Sequence, residues 1–217
     1  MLNTPRSRRG MVTAPHHLAS ESGLRVLREG GNAVEAMLAM AATLAVVYPH
    51  MNSIGGDGFW LISTGGKKPI ALDACGAAAK VASVEFYKSK GLSKIPERGP
   101  LAANTVAGTL SGWAEAHAIA QELGGKLPLS RLLEDAVWSA ENGFAVTASQ
   151  QELTETKLGE LKNSPGFVDT FLLGGKSPRE GQVMKLTALG ETLKRIGKHG
   201  AMDFYREIGR ASCRERV

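Results

Sequence analysis

Two cysteines in 217 residues cannot make a disulfide scaffold, and Cys75 and Cys213 have neither CxxC nor zinc-ligand spacing. Aromatic residues are scarce, at 6%. No apolar run reaches the roughly 18 residues that would span a bilayer. The Arg-rich start (Arg6, Arg8, Arg9) has no apolar stretch behind it and is not a secretory signal. Excess charge is also missing from the body of the chain. The net charge is +5, of which residues 1–10 hold +3 and residues 207–217 hold +1, leaving +1 for everything between. A nucleic-acid footprint needs a clustered basic face. The expectation is therefore no nucleic-acid partner, no membrane partner and a cytoplasmic protein. What remains is 43% hydrophobic and 22% charged, which is a globular balance. The 26 glycines suit tight turns and close backbone packing.

The pattern along the chain is a buried helix, a strand pair and then a helical layer, an α+β arrangement. Residues 10–15 read as a short strand. Ser20 is placed to cap a helix running to Arg28, which Gly30-Gly31 stop. Asn32 caps the next helix, Ala33 to about Val47, which is apolar on every side and so belongs in the interior. Phe59 to Ile62 and Pro69 to Asp73 read as a buried antiparallel pair joined at Gly65-Gly66. Helices are expected over Thr105–Leu123, Ser130–Asn142, Thr147–Leu161 (polar, on the surface) and Thr187–His199.

The common chemical signatures are absent. Gly55-Gly56-Asp57-Gly58 lacks the Gly-Lys-Ser/Thr ending of a phosphate loop and reads as a tight turn. There is no G-x-S-x-G elbow. His16, His17 and His50 share no i, i+4 helix face, so they read as turn and cap residues and no metal is expected. His117, one turn from Trp113, reads as a packed histidine. A lone Cys75 is by itself a small buried hydrophobe, without the base that a reactive thiol needs.

Several blocks, in order, resemble the γ-glutamyltranspeptidase family. They are Gly10-Met11-Val12-Thr13-Ala14-Pro15-His16-His17, Gly30-Gly31-Asn32-Ala33-Val34-Glu35-Ala36, Tyr48-Pro49-His50 with Ile54-Gly55-Gly56-Asp57-Gly58-Phe59, Thr105-Val106-Ala107-Gly108, Glu141-Asn142-Gly143-Phe144 and Phe204-Tyr205. The wording around Tyr48–Asn52 and Gly56–Trp60 looks most like the oxamate amidohydrolase branch. The resemblance implies part of a four-layer αββα sandwich, the N-terminal nucleophile hydrolase fold. It implies a proenzyme that cuts itself before a threonine, whose hydroxyl then attacks an amide with its own α-amine as base. No cofactor is implied. The implied partners are a C-terminal small subunit of the same proenzyme and a small amide substrate. Residues 10–206 correspond to the front of the large subunit, residues 1–9 to a disordered arm, and residues 207–217 read as a non-native tail that includes Cys213. The nucleophilic threonine would lie beyond this chain, so no catalytic residue is expected within it.

One departure bears on substrate. Leu72-Asp73-Ala74-Cys75-Gly76-Ala77-Ala78 lines up without gaps on the family's Asp-x-Arg-Glu-x-Ala pattern. The arginine that clamps the α-carboxylate of a γ-glutamyl group falls on Cys75 and the glutamate on Gly76. Cys75 and Gly76 are thus the candidate substrate-binding positions. A charge-assisted clamp of that kind is worth about 1.5–3 kcal/mol. Its loss favours a small amide such as oxamate over glutathione. A γ-glutamyl hydrolase or transferase that holds its substrate differently is the first alternative. A non-catalytic scaffold or binding fragment is the second.

Overall fold

A computed structural model describes residues 4–208. In chain order the elements are α1 (His17–Arg28), α2 (Ala33–Val47), β1 (Gly58–Ile62), β2 (Ile70–Ala74), α3 (Val84–Ser89) and α4 (Thr109–Glu122). Then come α5 (Leu129–Leu132), α6 (Glu134–Asn142), β3 (Phe144–Ala145), α7 (Ala148–Leu161), α8 (Phe167–Phe171), β4 (Val183–Met184) and α9 (Thr187–His199). Residues 4–9 are exposed and belong to no helix or strand. The proposed tail lies outside the described residues except for its first two, and Cys213 lies outside them.

Helix α2 is the axis of the core. Twelve of its 15 residues are buried, as its all-round apolarity requires. It packs against α1, α4, α5 and α6, and α6 in turn packs on α9. Leu38, Val46 and Val47 of α2 meet Leu110, Leu132, Leu133, Leu193 and Ile196 in one cluster. The α2 start is set by a capping box. The Asn32 side chain accepts from the Val34 and Glu35 amides, and Glu35 Oε2 accepts from the Asn32 amide at 2.8 Å. Two further bonds extend this knot. Glu35 Oε1 accepts from the Leu127 amide at 2.8 Å, and Asn32 Nδ2 donates to Ala120 O at 2.9 Å.

Four expectations differ from the structure. Residues 10–15 form no strand. Helix α1 begins at His17, not after Ser20, because His16 is its cap and accepts the Leu18 amide on Nδ1 at 3.2 Å. Helix α4 begins at Thr109 because residues 105 and 106 bond sideways to Ala77 and Ala78. The stretch expected as one helix over Ser130–Asn142 is divided at Leu133 into α5 and α6. Helix α9 has the expected bounds, and α7 starts one residue late because Thr147 is its cap. Only Gln150 and Thr154 of α7 are buried, so it is a surface helix.

The strand pair is antiparallel, with Trp60 opposite Leu72 and Ile62 opposite Ile70. It is only half buried, which corrects the expectation of a buried pair. Strand geometry alternates the side chains. Trp60 and Ile62 face α4 with Ala116 and Ala120, whereas Phe59 and Leu61 point outward, 69% and 78% exposed. A second two-stranded pair joins β3 to β4.

Two outcomes are expected. Glu35→Ala leaves the partly buried amides of Asn32 and Leu127 without their acceptor. Stability to denaturant should fall by roughly 3 kcal/mol, and Glu35→Gln, which keeps an acceptor, should lose about half of that. The outward apolar face of β1 should make the chain self-associate. Phe59→Ser with Leu61→Lys should lower its apparent mass in sedimentation, and an unchanged mass would mean that another face drives association.

Candidate functional site

The two candidate positions lie where β2 leaves the hairpin. Ala74 is buried, so alternation turns the next side chain outward, and Cys75 is exposed. This corrects the reading of Cys75 as a small buried hydrophobe. Two carboxylates attend it. Asp73 Oδ1 accepts the Cys75 amide at 2.9 Å, and Asp57 Oδ1 accepts the Gly76 amide at 3.1 Å. Desolvation, followed by hydrogen bonding and charge from Asp73 and charge and hydrogen bonding from Asp57, pushes the thiol above its ordinary value. That shift favours the protonated thiol over the thiolate, which is the nucleophilic form.

Gly76 offers backbone only. A Cβ placed there would sit 1.5 Å from Val106 O, and a Cβ on Gly108 would sit 2.0 Å from Ala74 O. The strand exit and the approach to α4 thus touch backbone to backbone through two glycines. The Gly76 amide is already taken by Asp57.

The Gly55-Gly56-Asp57-Gly58 turn is fastened to the first residue of α4. The Thr109 amide and hydroxyl both donate to Gly56 O at 2.8 Å, and the hydroxyl also reaches Asp57 O at 3.0 Å. Asp57 was not among the sequence candidates. Its signal was available: it is an acid in a turn where the resembling family has only glycine. A cavity of about 330 Å³ opens beside this turn, lined by Asp57, Asn52, Ser53, Phe59, Thr109 and Trp113, among others.

The histidines are elsewhere. His16 stacks on His17 at 4.6 Å between ring centroids, and Tyr48 meets His50 edge-on at 4.3 Å. His50 Nε2 lies 3.2 Å from Ser149 Oγ in the first turn of α7. His16 and His50 join the ends of α1, α2 and α7, as turn and cap residues. His117 is half buried, its Nε2 on Leu127 O at 3.1 Å. No group of three or more His, Cys, Asp or Glu among the described residues could hold a metal. No described helix is long and apolar enough to cross a membrane.

Comparison with known proteins decides the family. The family model described as gamma-glutamyltranspeptidase matches residues 19–212. The chain belongs to the γ-glutamyltranspeptidase family. It is 54% identical over 201 residues to the oxamate amidohydrolase proenzyme of Klebsiella pneumoniae, covering 92% of this chain and 38% of that protein. It is 40% identical to the glutathione hydrolase-like YwrD proenzyme of Bacillus subtilis, covering 90% of this chain and 36% of the relative. The γ-glutamyltranspeptidase of Helicobacter pylori superposes with a TM-score of 0.84 at 32% identity, over 94% of this chain and 58% of that one. The chain therefore spans less than two fifths of the length of these curated relatives. Its α+β architecture is the corresponding part of the N-terminal nucleophile hydrolase fold.

The histidine cluster generates a pH prediction. Burial first, then the neighbouring charges of His17 and His50, holds the His16 imidazole below its ordinary value, and burial does the same for His50. A depressed folded pKa means that the unfolded chain binds protons more readily. The neutral rings contribute their full stability above the ordinary imidazole value of about 6.5. That stability is lost as pH falls below it, towards the folded values. Protonated His16 would also put a positive charge on a helix N-terminus and lose its cap acceptor. Denaturant midpoints should drop on acidification from about pH 7 to 5. His16→Asn, which keeps a cap, combined with His50→Gln should flatten the slope. An unchanged slope would place the proton uptake elsewhere.

Proposed function

We propose that this chain is the front of the large subunit of an amide-hydrolase proenzyme, whose parent acts on a small amide such as oxamate. The catalytic step would be that of the family. After self-cleavage a threonine hydroxyl attacks the amide carbon while its α-amine takes the proton. The amine or ammonia leaves, and water resolves the acyl-enzyme. In this reading Cys75 and the backbone of Gly76 form the acyl-side wall of the pocket, and Asp57 holds that wall in place.

One observation carries the substrate assignment. A guanidinium is expected where Cys75 stands, and the chain instead has a neutral thiol between Asp57 and Asp73, neither of which is in an ion pair among the described residues. Two carboxylates at that point disfavour the distant α-carboxylate of a γ-glutamyl group. The carboxylate of oxamate is bonded directly to the amide carbonyl carbon and so stands at a different place from the α-carboxylate of a γ-glutamyl group. The 54% identity to an oxamate amidohydrolase proenzyme supports the same reading.

The second reading, a γ-glutamyl hydrolase or transferase, is favoured by the likeness to a glutathione hydrolase-like proenzyme at 40% identity and a glutathione hydrolase proenzyme at 35%. The partner in either case is the C-terminal small subunit. The outward apolar face of Phe59 and Leu61 supports a further layer of chain packing there. The free, exposed thiol of Cys75 supports a reducing compartment, the cytoplasm. A non-catalytic binding fragment would carry no such requirement for a second half.

The test completes the chain with the family's remaining sequence and compares oxamate with a γ-glutamyl anilide. The 217-residue chain alone should release no ammonia from oxamate, since it lacks the nucleophile. The completed proenzyme should cleave itself and convert oxamate to oxalate and ammonia. Cys75→Arg should lower oxamate turnover and raise γ-glutamyl turnover, with Asp57 and Asp73 at hand to orient the new guanidinium. Efficient γ-glutamyl turnover without that change would decide for the second reading. A completed chain that neither self-cleaves nor hydrolyses either amide would decide for the binding fragment.

A further inference from the structure

Helix α4 begins without a side-chain cap of its own, because its N-cap is Gly108. The first four amides of a helix have no partner within it. The Thr109 amide is satisfied by Gly56 O. The Ser111 amide is satisfied from far along the chain. It donates to the phenol oxygen of Tyr205 at 2.9 Å, and the phenol donates to Ala107 O at 2.6 Å. One hydroxyl therefore both accepts from the helix and donates to the segment leading into it. Tyr205 is half buried in the wide helical turn Phe204–Ile208, edge-on to Phe204 at 5.3 Å between ring centroids. Both rings pack on the main core cluster.

The segment so held is the one on which the strand exit rests. The Val106 amide donates to Ala77 O at 3.0 Å, and the Ala79 amide donates to Asn104 O at 2.8 Å. Val106 O lies where any Gly76 side chain would be, and Gly108 lies flat on Ala74 O. Two backbones in such contact cannot slide independently, since packed interiors transmit strain. From these contacts we infer that Tyr205 is a positioning residue for the substrate wall at Cys75–Gly76, acting through residues 106–109. The inference rests on the reading of that wall as the acyl side of the pocket. The Tyr205 hydroxyl bonds to residues 107 and 111 rather than to the wall, and its role is to fix where the wall stands. A displacement of about an ångström in such a surface is enough to misplace a bound substrate.

The experiment compares Tyr205→Phe, which removes only the hydroxyl, with the unaltered protein and with Val26→Ala, a core change remote from the wall. Amide hydrogen exchange is followed in peptides covering 74–79 and 105–112 of the 217-residue chain. The same measurement is made in the completed proenzyme, which serves alone if the chain variant does not fold. Exchange should quicken in both peptides for Tyr205→Phe, while Val26→Ala leaves the 74–79 peptide at its original protection. In the completed proenzyme, self-cleavage should be intact. KM for oxamate should rise about threefold to tenfold, with kcat changed by less than about twofold. Quickened exchange confined to 105–112 would overturn the inference and leave Tyr205 as a cap alone. So would an unchanged KM on every amide that the enzyme turns over. If instead KM rises on a γ-glutamyl anilide and oxamate is not a substrate, the positioning role stands and the small-amide reading falls.

Discussion

The structure depends first on a buried carboxylate that forms no ion pair among the described residues. Glu35 is fully buried, and its two oxygens are spent on two amides, Asn32 at its own helix start and Leu127 after α4. A buried charge is tolerated only when hydrogen bonding replaces its hydration. Asn32 completes the exchange by donating to Ala120 O at the far end of α4. The junction of α1 and α2 is thereby tied to the end of α4. The direction of α2 fixes that of α4, and α4 in turn supplies Thr109, to which the Gly55–Gly58 turn is fastened. The hairpin and its exit at Cys75 hang from that turn. A polar knot on one side of the core thus determines where a surface thiol stands on the other.

What the sequence showed and what it hid divides along the reach of the interaction concerned. Helix α2 could be read to the residue because its signals are local: Asn32 and Glu35 at capping-box spacing, then unbroken apolarity. The same holds for α9, closed by Gly200 at φ +89°, and within one residue for α7, whose cap is Thr147. The hairpin was legible from two apolar runs around a glycine pair. Which of its faces is covered was not, because Phe59 and Trp60 are alike in composition and differ only in what lies opposite. The start of α4 was misplaced by four residues for the same reason. Val106 fits the helical spacing that continues through Leu110 and Trp113, but Ala77 and Ala78 claim the backbone bonds of residues 105 and 106. His16 was legible as a cap residue in kind, but not as the cap of α1, since imidazole is an unusual choice beside Ser20.

The candidate site shows the division most sharply. Cys75 and Gly76 came from lining the chain up with a family pattern, which gives positions but no surroundings. The surroundings are long-range: Asp57 lies 19 residues from Gly76, and Tyr205 lies 94 residues from Ser111. No periodicity or composition encodes such pairs. Asp57 left one trace, an acid within a glycine turn, and that trace has meaning only once the Gly76 amide is seen beside it. The pattern also suggested that a side chain belongs at position 76. Val106 O occupies that volume, so the chain has exchanged a side-chain subsite for a backbone contact.

That exchange explains why the acids sit where they do. With glycine at 76, the strand exit can lie flat on residues 106–108, and the Gly76 amide donates to Asp57 Oδ1 at 3.1 Å. An exposed amide is satisfied by water. One held rigid between two backbone segments is better served by a fixed acceptor, and a carboxylate forms roughly twice as strong a bond as a neutral oxygen. Asp57 supplies it from a turn already fastened to α4, and Asp73 does the same for the Cys75 amide from within β2. The negative charge around Cys75 is thus partly the consequence of how the backbone is held. An arginine at position 75 would neutralise it. A cysteine leaves it standing, so the geometry that steadies the wall also sets the sign of the potential met by any substrate group that reaches it.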